Sequence, residues 1–364
     1  RSSDWFRHGH DGDKVYDSVI LHIVGEADGE VTRTNGEVIP QMIVSCPERI
    51  KMHYYELCVS DCYPACYPIF RSLPKLTVHS WLSALQTERL EQKAKLIGAR
   101  LEHCNNNWED VFFITLARNY GFGLNGDAFE AWAELLPFRA LDKHRNDLFQ
   151  IEALFYGMAG LFEDTFLKEE QKDEYCLRLS KEFHYLQRKF EIFRVMDATL
   201  WRFLRLRPDN FPHIRLAQLA YLYQKGDKLF SRLLEAETLA EVRILLSTRT
   251  SVYWENHYIF GRTSPQREKL LGEQSKDLII INTVVPFLYT YGLHKANEGM
   301  CERAGRFLEE LKAENNHIIR SWSDAGLPVA SAADSQALIQ LQKEYCDKRK
   351  CLYCRFGYEY LRKK

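Results

Sequence analysis

The 364-residue chain carries 49 Lys and Arg against 50 Asp and Glu, so no global field draws it to nucleic acid or to an acidic membrane, and any such partner must meet a local patch. Hydrophobic residues make up 46% and charged residues 27%, with 21 Phe, 19 Tyr and 7 Trp, which excludes a disordered chain and predicts a firm core. No apolar run is long enough to span a bilayer and nothing near Arg1 reads as a signal peptide, so the ten cysteines are expected to be reduced thiols of a cytoplasmic protein without a membrane partner, some of them recruited as metal ligands.

The chain opens on Asp4-Trp5-Phe6-Arg7-His8-Gly9-His10-Asp11-Gly12-Asp13, a stretch dense in His and Asp. His-x-His puts two imidazoles on one side of an extended backbone. His8, His10 and Asp13, with His22 projecting from the first strand, are therefore the weak candidates for a hydrolytic centre with a divalent metal. The run resembles the metallo-β-lactamase His-x-His-x-Asp-His motif only loosely, because Asp11-Gly12-Asp13 departs from its second half. The blander reading is a polar loop whose charges are solvated or cap nearby backbone.

Three antiparallel strands are expected next, at about 18–25, 30–34 and 37–45, with Asn35-Gly36 as a type I′ turn between the last two. So small a sheet needs a cover, either from the helices that follow or from a segment upstream of Arg1, which is not a Met.

From Pro47 the texture is helical. Pro64, Pro68 and Pro74 break the stretch 47–73 into short pieces. A long helix follows Thr77, and further helices are expected over 108–120, 125–136, 144–161, 168–191, 210–224, 227–235, 238–246, 267–291, 297–312 and 331–345. Asn125 reads as an N-cap, and Ser331 or Asp334 opens the last long helix. Pro286, four residues after Asn282 in an apolar run, predicts a kinked buried helix. Arg118-Asn119 and the glycines after them read as a tight turn, not a phosphate loop, since no Lys-Ser/Thr follows. Gly-x-Ser-x-Gly, Walker and dinucleotide fingerprints are missing, which removes the commonest hydrolase, NTPase and Rossmann classes. Arg205, Arg207 and Arg215 flank Phe211 and are candidates for nucleic-acid phosphates, against the plainer role of bracing an interhelical loop.

The sharpest signal is Cys346-x4-Cys351-x2-Cys354. The C-x-x-C pair lets two thiolates meet one ion from a single turn, and Cys346 is close enough to fold back on them. Lys348, Arg349 and Lys350 are expected to offset thiolate charge and lower the thiol pKa values. A closed site needs a fourth ligand, for which Cys301 is the first choice and His317 and His294 the others. The occupant is zinc or an iron–sulfur cluster; the alternative is a set of free or redox thiols. The spacing is similar to the cysteine clips of DNA-repair glycosylases and some nucleases without matching their register. Cys46, Cys58, Cys62 and Cys66 make a weaker second set, because the setting DCYPACYPIF reads as a packed loop, and Cys104 and Cys176 read as small core residues.

Taken together, the opening RSSDWFRHGHDGDKVYDSVILHIV, the central RNYGFGLNGDAFEAWAELLP and DLFQIEALFYGMAGL, then RLRPDNFPHIRLAQLA, INTVVPFLYTYG and SQALIQLQKEYCDKRKCLYCRFG resemble the bacterial family called domain of unknown function 2851 over nearly the whole chain. The resemblance implies no activity. It does imply an upstream stretch with a Gly-Pro-Asp element and a Val-Glu-Ile-His strand, an order similar to the acidic residues of restriction-endonuclease-like nucleases. On that reading this chain lacks the acids that would hold a catalytic metal.

The expected fold is mainly α with a small N-terminal antiparallel β-sheet (α+β). It divides into a β region over 1–46, a helical domain over 47–330 and a cysteine-rich metal-binding element over 331–364. Two functions compete. One is a metal-binding, nucleic-acid-binding or nuclease-like protein with a structural C-terminal Cys site. The other is a non-enzymatic helical scaffold or protein-interaction module stapled by zinc. A redox role for an iron–sulfur centre ranks third.

Overall fold

The computed structural model describes residues 1–363. Helix accounts for 61% of the chain and strand for 4%, so the mainly α expectation holds. The chain forms two compact units, one from Arg1–Pro74, Asp324–Leu327 and Lys343–Lys364, the other from Lys75–Ser323 and Pro328–Gln342. Among the described residues, no helix is long and apolar enough to cross a membrane.

The first unit begins with a small core in which Trp5, Val31 and Ile39 are buried under Tyr16 and Val19. Its strands correct the expected antiparallel sheet. His22–Val24 pairs in parallel with Gln41–Ile43, with His22 opposite Gln41 and Val24 opposite Ile43. Between these strands the chain reverses through a tight hairpin that includes the bridge Thr32↔Val38, and this hairpin acts as the crossover that a parallel pair requires. The Asn35-Gly36 turn forms, though not as type I′. Gly36 is left-handed at φ +80, while Asn35 stays out of that region and accepts the Glu37 N–H through its side chain at 2.9 Å. Gly36 N–H donates to the Arg33 carbonyl and Arg33 N–H to the Glu37 carbonyl, both at 2.9 Å, which is a three-residue turn closed by a bulge. Ile23, Met42 and Ile43 remain exposed.

Further along this unit, the helix Glu48–Val59 packs on a C-terminal helix, Arg355–Leu361, that the sequence reading missed. The buried His53 joins the two through Nδ1 and the Leu361 carbonyl at 3.0 Å. Tyr360 donates its hydroxyl to Glu56 at 2.9 Å, and Lys363 pairs with the same carboxylate at 2.8 Å.

The second unit is built on the helix Lys75–His103. Trp108–Tyr120 forms as expected, with Asn107 accepting the N–H groups of Glu109 and Asp110. The fully buried rings of Trp132, Phe155, Tyr156, Trp254 and Phe260 form its aromatic centre. Asn125 does not cap a helix with its side chain; it exchanges two 2.8 Å hydrogen bonds with the backbone of Arg202 instead. The expected 144–161 helix is Leu148–Met158 preceded by a separate Phe138–Lys143, because Asp147 caps the later one. Ser331 and Asp334 form a reciprocal capping box before Ala332–Gln340, and His317–Asp324 is a helix the pattern did not reveal.

At Pro286 the structure is more specific than a kink. Glu273–Ile279 passes through a π-turn at Ile280–Val284 into Val285–His294. Proline has no N–H for the carbonyl four residues back, which is that of Asn282. That released carbonyl accepts from Asn119 Nδ2 at 3.0 Å, and the same amide donates to Thr283 Oγ1 at 2.8 Å. The lone polar residue and the proline therefore belong to one device.

Candidate functional site

The cysteine-rich C-terminus forms in the first unit, and the chain around it explains how its thiols are held. Ala332–Gln340 widens into a π-turn over Leu341–Cys346. The backbone then turns back on itself, with Lys350 N–H donating to the Tyr345 carbonyl at 2.8 Å and Arg349 N–H to the Cys346 carbonyl at 3.0 Å. Arg349 takes the left-handed conformation, φ +52, that lets this turn close. Cys351–Tyr353 follows as a single 3-10 turn, and Cys354 sits buried at the start of Arg355–Leu361.

Facing these residues is the loop after Glu48–Val59. Tyr63 donates to Asp347 at 2.9 Å, and the Arg349 guanidinium donates to the Cys58 carbonyl. Together the two stretches line a cavity of about 110 Å³ whose walls include Cys62, Cys66, Cys346, Cys351 and Cys354. Cys66, read from the sequence as part of a packed loop, is buried and lines the same cavity as the late cysteines, which the sequence reading did not connect with it. No disulfide is present among the described residues.

The electrostatics reverse another expectation. Burial pushes the Cys66 thiol well up and the Cys346 thiol up to about 12, with the neighbouring thiols adding to both. Cys351 is raised as well, by burial first, then by Cys58; Arg349 opposes this only weakly. The basic residues fail to lower these values because they are otherwise engaged: Lys348 pairs with Glu344, and Arg349 is turned to the Cys58 carbonyl. Burial of this kind favours the protonated thiol over the thiolate.

Gly357 sets the clearance on the far side. A Cβ at this position would fall on the Cys351 carbonyl. Gly357→Ala is expected to force the Cys351 turn away from the helix and to cost about 1–3 kcal/mol. A melting curve and a thiol-accessibility assay matching the unsubstituted protein would refute that packing.

The other candidates are placed differently. Cys301 lies in the second unit, where its thiol donates to the Tyr289 carbonyl at 3.6 Å, and it is not among the residues lining the cavity. His317 is exposed at the start of its helix, and His294 rests on Trp108 with ring centroids 5.4 Å apart. Near the N-terminus, Trp5 stands among the histidines. His10 meets its ring at 5.3 Å and His22 at 5.1 Å, and His10 also packs on Tyr16 at 4.1 Å. His8 stacks on His10 from the exposed side, and Asp13 accepts the Val15 N–H at 3.0 Å. Asp13 thus caps backbone and the imidazole rings pack on aromatic faces, while His22 Nδ1 has no hydrogen-bond partner among the described residues.

Arg205 and Arg207 are exposed, whereas Arg215 is buried. Its guanidinium donates to Gln218 at 2.8 Å and to Asn210 at 2.5 Å and lies over the Phe122 ring, so it braces the loop. Among the described residues, no group of three or more His, Cys, Asp or Glu side chains is arranged to hold a single metal ion. Cys176 is buried and Cys104 packs against the core, as expected.

No curated protein and no solved structure matches the chain. A family model matches residues 1–317, a stretch that includes Cys66 and stops short of Cys346, Cys351 and Cys354. The chain belongs to the family described as protein of unknown function (DUF2851).

Proposed function

We propose that Cys66, Cys346, Cys351 and Cys354 hold one metal centre, and that this centre is a structural staple in a helical scaffold or protein-interaction module. The observation that carries the reading is the cavity shared by thiols from two stretches far apart in sequence. The occupant is zinc or an iron–sulfur cluster, either of which thiolates from these two stretches would hold. Bound metal would also relieve the cost of burying these thiolates.

The rival nucleic-acid or nuclease-like reading keeps Arg205 and Arg207 at the surface but not Arg215. The scaffold reading is therefore preferred. Elemental analysis and a visible spectrum of protein purified without oxygen test it. Iron with acid-labile sulfide and broad visible absorption, or about one zinc per chain, is the expected result, and which of them is found names the occupant. A protein that retains neither metal, even after reconstitution with each, would overturn the staple.

A further inference from the structure

Independently of the thiol cavity, we propose that a cationic cleft in the second unit binds a small phosphate-bearing molecule. The cleft encloses about 180 Å³, and its lining includes the cations Arg89, Lys93, Arg100 and Arg118. The same lining contains no carboxylate among the described residues. Helical spacing explains the convergence. Residues 89, 93 and 100 fall on one stripe of Lys75–His103, and Thr115, Arg118 and Asn119 fall on one stripe of the facing Trp108–Tyr120.

Each group is held in place by a partner around the cleft. Glu130 receives both Arg100 and Arg118 on its two oxygens, and its side chain is only 19% exposed. One buried carboxylate thus orients two guanidinium groups and neutralises one charge. Asp127 also pairs with Arg118 at 2.7 Å but is 93% exposed, so solvent screens it. Arg100 is fixed further by Thr115 Oγ1 at 3.2 Å. The Lys93 ammonium reaches Asn282 Oδ1 at 3.1 Å, the Ile281 carbonyl at 3.3 Å and Gln336 Oε1 at 2.8 Å. Glu314 lies one step further out, on the Gln336 amide. The π-turn is what opens the Ile281 and Asn282 backbone toward this cleft.

The result is a lining of four cations beside hydroxyl and amide groups, with no carboxylate in the wall itself. Planar guanidinium forks beside an ammonium suit the several oxygens and double charge of a phosphate group. The volume leaves room for a small organic portion beside it.

Calorimetric titration of the whole protein, in low-chloride buffer, with inorganic phosphate and with glycerol phosphate tests this. Both are expected to bind at one site per chain and to compete, glycerol phosphate the more tightly. Gln92→Glu places a carboxylate in the lining without removing a hydrogen bond that holds the fold, and is expected to weaken both at least ~tenfold with the melting temperature retained. Arg118→Gln is expected to do the same, while Arg205→Gln leaves binding unchanged. Failure of both ligands to bind, binding indifferent to Gln92→Glu and Arg118→Gln, or binding only of an oligonucleotide would each overturn the proposal.

Discussion

Replacing Cys66 with serine is expected to empty the metal centre and loosen the C-terminal end of the first unit, whereas Cys301→Ser leaves both intact. The contrast follows from position. Cys66 is buried and shares a cavity lining with three late thiols, while Cys301 is engaged with Tyr289 and is not in that lining. A structural zinc contributes roughly 10–16 kcal/mol to a small finger peptide, and binding there is inseparable from folding. Losing one of four thiolates is therefore expected to lower metal occupancy at least ~tenfold and to shift the melting of the first unit by several degrees. The substitution also removes a buried sulfur, so Cys66→Ala with the metal stripped serves as the reference for packing alone. Equal metal content in Cys66→Ser and the unsubstituted protein would assign the fourth position elsewhere.

Stability should fall as pH rises from about 4.5 to about 7, and Glu152→Gln should remove that fall. Glu152 is fully buried in the second unit, and burial raises its carboxyl from the ordinary 4.5 to about 7. Tyr175 donates its hydroxyl to one oxygen, while Oε1, Ser251 Oγ and Trp254 Nε1 close no hydrogen bond of good geometry. Those neighbours favour the charged form, but burial outweighs them.

The sign is fixed by which state holds the proton. Between the two values the folded protein keeps it and the unfolded chain has released it, so unfolding becomes easier with each step up in pH. The contribution is present in full below about pH 4.5 and gone above about 7. A shift of this size corresponds to about 3 kcal/mol. Other carboxylates titrate across the same range, so the measurement is the difference between Glu152→Gln and the unsubstituted protein in denaturant midpoints at pH 4.5, 6 and 8. A difference that does not change with pH would show that Glu152 is charged throughout.

Local pattern carried most of the helical unit. Trp108–Tyr120 and Lys75–His103 announce themselves by apolar spacing and by a capping Asn or a preceding proline, all within a few residues of the helix. What stayed hidden depends on partners distant in sequence. The parallel pairing of His22–Val24 with Gln41–Ile43 rests on where the intervening hairpin folds back, which no local alternation encodes. Cys66 carries the same ambiguity: its neighbours Tyr63, Pro64 and Tyr67 say loop, and only the approach of Cys346 and Cys354 says site. Of the cationic cleft, Arg89, Lys93 and Arg100 carried no signal, while the sequence offered Arg118 and Asn119 as part of a turn and Asn282 and Pro286 as a kink. Their meaning emerged once Asn119 and Lys93 were seen to meet the backbone that proline releases.

The pairing of His53 with the Leu361 carbonyl, and of Cys58 with Arg349, gives this chain an unusual order of assembly. On a ribosome, residues 48–66 emerge before the helical unit, and their partners Arg349 and Leu361 emerge only after it. Closing so long an intervening segment is slow and entropically unfavourable unless the helical unit has already folded and shortened the search. In the interval the early thiols are open to oxidation and mispairing. The two halves of the cavity can therefore meet only once the intervening helical unit has been made.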